Sequence, residues 1–137
     1  MLTQLFEQNN WLAILLAAAA YWVIGAIWYG ILGKRWMVAA GLTKEKIDVG
    51  SKMIYLYTFI LEFFIVLVIA AILNYAAITE LSAAIELGLL VGLVLSGFTT
   101  WVHYMYTGQK KDLYWIDAGY TTIASIVAST ILVLMMN

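Results

Sequence analysis

Glu62, His103 and Asp117 are ionisable residues that lie inside long apolar segments of this 137-residue chain. Glu62 lies about nine residues into its segment, which at 1.5 Å per helical residue is roughly 13 Å deep, near the middle of a bilayer. An ionised acid there costs about 2.5 to 3.5 kcal/mol, so Glu62 must face protein or water, or stay protonated. It is a candidate proton or cation site. The alternative is a neutral acid that holds helices together.

His103 and Asp117 lie on either side of a short connection, which brings them to a similar depth. A histidine beside a carboxylate can exchange a proton near neutral pH, so the two residues are candidate partners. With Tyr120, Tyr57 and Thr58 nearby, the pair is predicted to form the mouth of a polar pocket that leads to Glu62. The alternative is that His103 and Asp117 lie at the interface and reach water separately.

Hydroxyl groups are predicted at the same depth as Glu62, and they offer a hydrogen-bonding layer in the middle of the bundle. The residues that carry them are Tyr21, Ser96, Thr99, Thr121, Thr122 and Ser125.

Catalysis has less support than binding. The chain has no cysteine and a single histidine, which excludes thiolate zinc sites, iron–sulfur clusters and haem held by two histidines. It has no nucleophile elbow or phosphate-binding loop, and its connections are too short to build a soluble active site. We therefore expect no enzyme activity, no cofactor, no metal site and no nucleic-acid partner.

The elements that must position these residues are membrane-spanning helices. Hydrophobic residues make up 65% of the chain and charged residues 11%, too few polar groups for a water-soluble fold. Four apolar runs of about membrane-spanning length lie at 11–32, 53–74, 81–106 and 113–136. They lack the alternation of barrel strands. The sequence predicts an all-α integral membrane bundle of four transmembrane helices, forming one domain over residues 1–137.

The distribution of charge predicts the orientation of these helices. All seven basic residues fall in the first and third connections: Lys34, Arg35, Lys44, Lys46, Lys52, Lys110 and Lys111. Basic loops face the cytoplasm, so both termini are predicted to lie outside. Tyrosine and tryptophan crowd the same helix ends, which is typical of an interfacial belt. The alternative is that these rings surround a cation or stack on a lipophilic ring. In the first loop, the segment from Thr43 to Asp48 predicts a short interfacial helix.

Small residues at four-residue spacing mark a packing face on the third helix. This stripe contains Gly88, Gly92 and Ser96 and is extended by Thr99 and His103. A similar stripe on the fourth helix contains Asp117, Thr121, Ser125 and Ser129. Small residues let membrane helices approach closely, so we expect the two stripes to pack together inside one subunit. Homodimerisation through Gly88 and Gly92 is the alternative.

Four short motifs carry a family resemblance that covers the chain from about Asn10 onwards. They are Asn10-Trp11-Leu12-Ala13, Trp28-Tyr29 followed by Gly33-Lys34-x-Trp36-Met37, Gly41-Leu42-Thr43, and Asp117-Ala118-Gly119-Tyr120. Together they resemble a family of small bacterial four-helix membrane proteins, the domain-of-unknown-function family 1761. The resemblance implies a fold and a place in the bacterial cytoplasmic membrane, but no activity. Family members often have Ser-Pro at Gly30-Ile31 and usually have Asn at Asp117.

Two classes of function remain open. The first is a small transporter or pore, oligomeric because four helices barely enclose a channel, in which Glu62 binds a proton or cation and His103 with Asp117 gates the cytoplasmic side. The second is a non-catalytic scaffold, or an accessory subunit of a larger membrane complex. The lipid bilayer is a partner in both, and a second copy or another membrane protein is a further candidate partner.

Overall fold

A computed structural model describes residues 10–43 and 52–136 of the chain. Within this part of the chain all regular structure is helical and no strand occurs, so the all-α prediction is confirmed. The four helices are α1 (Trp11–Ala40), α2 (Lys52–Tyr75), α3 (Leu81–Thr107) and α4 (Lys111–Met136), and each is long and apolar enough to cross a membrane. The predicted interfacial helix after Thr43 lies outside the described residues.

Helix α4 is the centre of the bundle, because it contacts each of the other three helices. Its beginning and end are both tied to α1. At one end the amide of Asn10 donates a 3.0 Å hydrogen bond to the carbonyl of Met135, and at the other Arg35 pairs with Asp112 at 3.1 Å. These contacts make α1 and α4 antiparallel. The end at which α1 stops and α4 starts is called the basic end below.

Helix α1 continues well past the apolar run at 11–32 from which it was predicted. It reaches Ala40 because its polar continuation contains no proline and no residue that breaks the helix. It ends where Gly41 adopts a left-handed conformation, with φ 68°, and Leu42 donates a 2.9 Å hydrogen bond to the carbonyl of Met37. Glycine reaches this conformation without the penalty of a Cβ. The extra turns carry Trp36 to the basic end of the bundle.

Helix α2 is packed along only one of its halves. Its buried residues are Val66, Ile69, Ala70 and Leu73, all distant from the basic end. Most of the first half of α2, from Lys52 to Leu61, is exposed. The basic half of α2 therefore stands away from the bundle, and a cleft remains between it and α1.

The predicted small-residue face of α3 lies against α4. A Cβ added to Gly88 would lie 2.5 Å from Ile126 Cα, and one added to Gly92 would lie 2.5 Å from Thr122 Cα. Only hydrogen fits in these gaps, so the two backbones are in direct contact. Since α4 covers this face inside the subunit, it is not available for homodimerisation through Gly88 and Gly92.

The middle of α3 is a π-helix from Leu90 to Gly97, and it changes which residues face the bundle. The amide of Phe98 bonds the carbonyl of Leu93, five residues earlier. Compared with a continuous α-helix, this wider turn shifts the inward positions by about one residue. Gly97 is buried in the position expected for Ser96. After the shift, Thr99 and His103 are exposed.

Candidate functional site

Glu62 and Tyr120 form the central polar contact of the bundle. The hydroxyl of Tyr120 donates a 2.8 Å hydrogen bond to Glu62 Oε1. The other carboxyl oxygen, Oε2, is buried and has no hydrogen-bond partner among the described residues. A buried polar atom without a partner is rare in folded proteins and marks a place where a proton, water or ion can bind.

Two further tyrosines pack against Tyr120 and hold this contact in place. The ring of Tyr120 meets the ring of Tyr21 edge-on at 5.6 Å and that of Tyr29 at 5.4 Å, measured between centroids. Gly25 leaves room for Tyr120, because a Cβ there would lie 3.0 Å from the Tyr120 hydroxyl oxygen. The position of the donor to Glu62 is thus fixed by packing from α1.

An open cleft of about 620 Å³ begins at Glu62 and runs toward the basic end between α1 and α2. It is bounded by α1 on one side, α2 on the other and a single residue of α4. The residues that line it are Trp22, Gly25, Ala26, Tyr29, Gly30, Ile54, Tyr55, Thr58, Glu62 and Tyr120. Its walls are therefore mainly aromatic and small residues, and Glu62 is its carboxylic acid.

A hydrogen bond crosses from α1 to α2 inside this cleft. The indole nitrogen of Trp22 donates to Thr58 Oγ1 at 3.3 Å, and that hydroxyl in turn donates to the carbonyl of Tyr55 at 3.0 Å. The rings of Trp22 and Tyr55 meet edge-on with centroids 6.3 Å apart. The Trp22 indole and the Thr58 hydroxyl are thereby paired, whereas Glu62 Oε2 is buried without a partner among the described residues.

Asp117 forms a second polar centre, nearer the basic end. Its Oδ1 accepts hydrogen bonds from the Tyr29 hydroxyl at 2.7 Å and from the Trp36 indole at 2.9 Å. Its Oδ2 accepts from the Tyr104 hydroxyl at 2.6 Å. Three neutral donors from α1 and α3 thus surround one carboxyl group of α4. Among the described residues, this arrangement joins three helices without a basic partner for Asp117.

The predicted pairing of His103 with Asp117 does not occur, and this corrects the predicted pocket mouth. His103 is exposed, and its carbonyl accepts from the Thr107 hydroxyl. Because the π-helix shifts the inward face of α3, the next residue, Tyr104, reaches Asp117 instead.

The predicted hydroxyl layer at the depth of Glu62 is divided between several roles. Thr99 is exposed, and its hydroxyl bonds the Leu95 carbonyl in its own helix. Thr121 donates to the carbonyl of Gly92 at 3.2 Å and so joins α4 to α3. Ser96 accepts through its carbonyl from Thr100. Of the predicted site residues, Glu62 and Tyr120 are the two that the structure brings together at the cleft.

Sequence reasoning missed Tyr29, Trp36 and Tyr104 as partners of Asp117. The crowding of aromatic residues at the basic end predicts an interfacial belt or a cation cage, and neither interpretation assigns these residues to Asp117. The useful signal was an acid one turn into an apolar helix, since such a carboxylate requires donors and the neighbouring Tyr and Trp side chains supply them.

Comparison with known proteins gives a family. Residues 12–133 match the family model described as Protein of unknown function (DUF1761). The chain belongs to this family. The match confirms the resemblance found in the sequence, and the family description assigns no activity. No curated protein and no solved structure matches the chain.

In this DUF1761 member, the residues of the sequence motifs converge on α4. Asn10 caps α1 by accepting a 3.1 Å hydrogen bond from Ala13, and Trp28 donates a 2.9 Å bond to the Ile116 carbonyl. Gly119 gives the Trp28 ring its space, since a Cβ there would lie 2.9 Å from Trp28 Cζ2. The motif at 117–120 therefore accepts donors at Asp117, admits Trp28 at Gly119 and supplies the hydroxyl of Tyr120 to Glu62.

Proposed function

We propose that this membrane protein binds a proton or a cation at Glu62, as part of a small transporter. The observation that carries the proposal is the buried Oε2 of Glu62, which lacks a hydrogen-bond partner in the described chain, on a residue that lines the cleft. A carboxyl group held at this depth by one tyrosine still requires a proton or a positive charge on its second oxygen.

The other membrane-embedded carboxylate supports this choice by contrast. Asp117 accepts three hydrogen bonds, so both of its oxygens are already satisfied by protein donors. Glu62 accepts one, on Oε1. Of these two acids, Glu62 has the unmet bonding capacity that a transported or coupling ion would use. We further infer that the protein acts by binding and movement rather than by catalysis.

A transport cycle would start from a cleft that is open at one end. Beyond Glu62, away from the basic end, the bundle is close-packed by Ala13, Ile14, Ile69 and Leu132, each fully buried. Passage across the membrane would require this half of the bundle to open, by a change of conformation or in an oligomer. The placement of the basic residues favours a cleft that faces the cytoplasm, with both termini outside, in a bacterial cytoplasmic membrane.

A structural role for Glu62 is the second candidate, and a specific contact favours it. The Tyr120–Glu62 hydrogen bond joins α4 to α2 at the point where α2 begins to leave the bundle. A scaffold or accessory subunit could use this bond only to fix α2. In that case a glutamine would serve as well as a glutamate, because it keeps an oxygen for Tyr120.

The test is proton flux through purified protein in liposomes that contain a pH-sensitive dye, with sodium or potassium gradients imposed. We expect the wild type to move protons, Glu62→Gln to fold but lose this flux, and Glu86→Gln to retain it. Glu86 is the matched control, because it is an exposed acid on α3 that does not line the cleft. Glu62→Ala should also lose thermal stability, since Tyr120 then loses its acceptor.

A different set of results would favour the scaffold. If the wild type dissipates no gradient with either ion, Glu62→Gln melts like the wild type and Glu62→Ala unfolds, Glu62 acts only through its hydrogen bond. The transport proposal would then be dropped.

A further inference from the structure

The cleft has the size and chemistry of a site for an organic cation rather than for a bare ion. Its volume of about 620 Å³ lies within the range of small-molecule sites, about 300–1,000 Å³. Among residues 10–43 and 52–136, no group of three or more His, Cys, Asp or Glu side chains could hold a metal ion. A single carboxylate with aromatic walls does not supply the several oxygen or nitrogen ligands that divalent metal ions need.

The charge of the cleft selects the sign of its ligand. None of the described residues that line it is lysine or arginine, and Glu62 offers a carboxyl oxygen without a partner. The aromatic residues Trp22, Tyr29 and Tyr55 line the same walls. Cations are attracted both to a carboxylate and to the faces of aromatic rings. An anionic ligand would be repelled by an ionised Glu62 and would find no lysine or arginine among the described lining residues to pair with.

Small residues of α1 leave the space that forms the cleft. At the cleft, α1 presents the small residues Gly25, Ala26 and Gly30 instead of the large side chains that a membrane helix would otherwise carry. A Cβ added to Gly30 would meet no described atom within 4 Å. The opposite wall, the basic half of α2, is largely exposed, so the cleft is open rather than enclosed by protein.

We propose that the cleft between α1 and α2 binds an amphipathic organic monocation, with its positive group at Glu62 and its apolar part against the aromatic walls. This inference rests on the proposed role of Glu62 as a cation site and names the class of ligand that the site takes. A protonated lipophilic amine or a quaternary ammonium or phosphonium ion has this chemistry.

The experiment measures equilibrium binding of radiolabelled tetraphenylphosphonium to the full chain in lipid nanodiscs, with uncharged triphenylphosphine oxide as the neutral comparison. We expect saturable binding of the cation and none of the neutral compound. Glu62→Gln should weaken cation binding by about tenfold or more.

Substitution of two glycines of α1 by leucine tests whether the ligand occupies the cleft. Gly30→Leu places a side chain in the cleft and should abolish saturable binding. Gly33→Leu adds the same side chain one turn away, where a Cβ also meets no described atom within 4 Å and the position does not line the cleft. Its binding should equal that of the wild type. Since a Cβ at either position meets no described atom within 4 Å, both variants are expected to melt like the wild type.

Three outcomes would overturn the inference: no saturable binding of the cation, equal binding of the neutral compound, or the same binding by Gly30→Leu and Gly33→Leu. Proton flux is measured separately for the wild type and Glu62→Gln. This measurement tells whether only the organic-cation site is wrong or the proposed role of Glu62 in transport is wrong as well. If Glu62-dependent flux persists while the organic cation does not bind, the site takes only a proton or small ion. If the wild type shows neither Glu62-dependent proton flux nor binding of the organic cation, Glu62 has a structural role.

Discussion

The hydroxyl of Tyr120 lies 2.8 Å from Oε1 of Glu62 and joins the central helix α4 to α2 at the inner end of the cleft. The Tyr120 ring is itself held between Tyr21 and Tyr29, so the donor cannot easily follow a moving acceptor. Any change that moves α2 relative to α4 must therefore stretch or break this bond.

Removal of this donor should destabilise the bundle. In Tyr120→Phe the Oε1 atom of Glu62 loses its hydrogen-bond donor, so that neither carboxyl oxygen has a donor from the described chain. This loss should cost about 1–3 kcal/mol and lower the melting temperature in detergent. Tyr75→Phe is the control, because Tyr75 is 75% exposed at the far end of α2. Equal melting of the two variants would mean that the bond contributes nothing to stability.

The register of α3 can be tested with two neighbouring residues. Tyr104→Phe removes the 2.6 Å hydrogen bond to Asp117 Oδ2 and should lower thermal stability by about 1–2 kcal/mol, whereas His103→Ala should have little effect because His103 is exposed. The measurement is the melting temperature of each purified variant. A large effect of His103→Ala with a silent Tyr104→Phe would contradict the inward shift produced by the π-helix.

The donors around Asp117 predict different results for two substitutions there. Asp117→Asn keeps an oxygen for Tyr29 and Trp36, and its amide can donate to the Tyr104 oxygen, so stability should change little. Asp117→Leu leaves all three donors without this acceptor, at about 1–3 kcal/mol for each one that remains buried. Thermal melting of both variants gives the comparison. Similar losses would show that charge, rather than acceptance of hydrogen bonds, is what Asp117 provides.

The close approach of α3 and α4 should not tolerate even one methyl group. In Gly92→Ala the new Cβ would lie 2.5 Å from the backbone of Thr122, so the helices must separate, at a cost of about 1–3 kcal/mol. Gly33→Ala is the control, since no described atom lies within 4 Å of its added Cβ. Melting temperature and size-exclusion profile are the measurements. An unchanged Gly92→Ala would mean that the two backbones do not touch.

Orientation can be tested with single cysteines, because the chain has none of its own. Ala77 lies in the exposed turn between α2 and α3, and Thr43 lies exposed beyond the end of α1. In intact cells, Ala77→Cys should react with a membrane-impermeant thiol reagent and Thr43→Cys should not, as the basic loops are expected inside. Reaction at Thr43→Cys alone would reverse the proposed topology.

Periodicity and local chemistry made part of this protein predictable. Long apolar runs without proline specify helices that cross a membrane, since each helix satisfies its own backbone hydrogen bonds in lipid. The spacing of Gly88 and Gly92 likewise indicated a close helix contact, because four residues bring side chains to the same face. The end of α1 at Ala40 was harder to predict, because the apolar run stops at the membrane surface while the helix continues.

The pattern of residues along the chain is enough to predict the helical class, the four spans, the family and the two acids that need partners inside the membrane. The partners of those acids depend on how the helices pack. The π-helix at Leu90–Gly97 turns Tyr104 instead of His103 toward Asp117, a shift of one residue that the apolar pattern of α3 does not record. Likewise, the cleft beside Glu62 exists because the buried residues of α2 lie in one half of that helix, and the packing partners of a helix are fixed by the other helices.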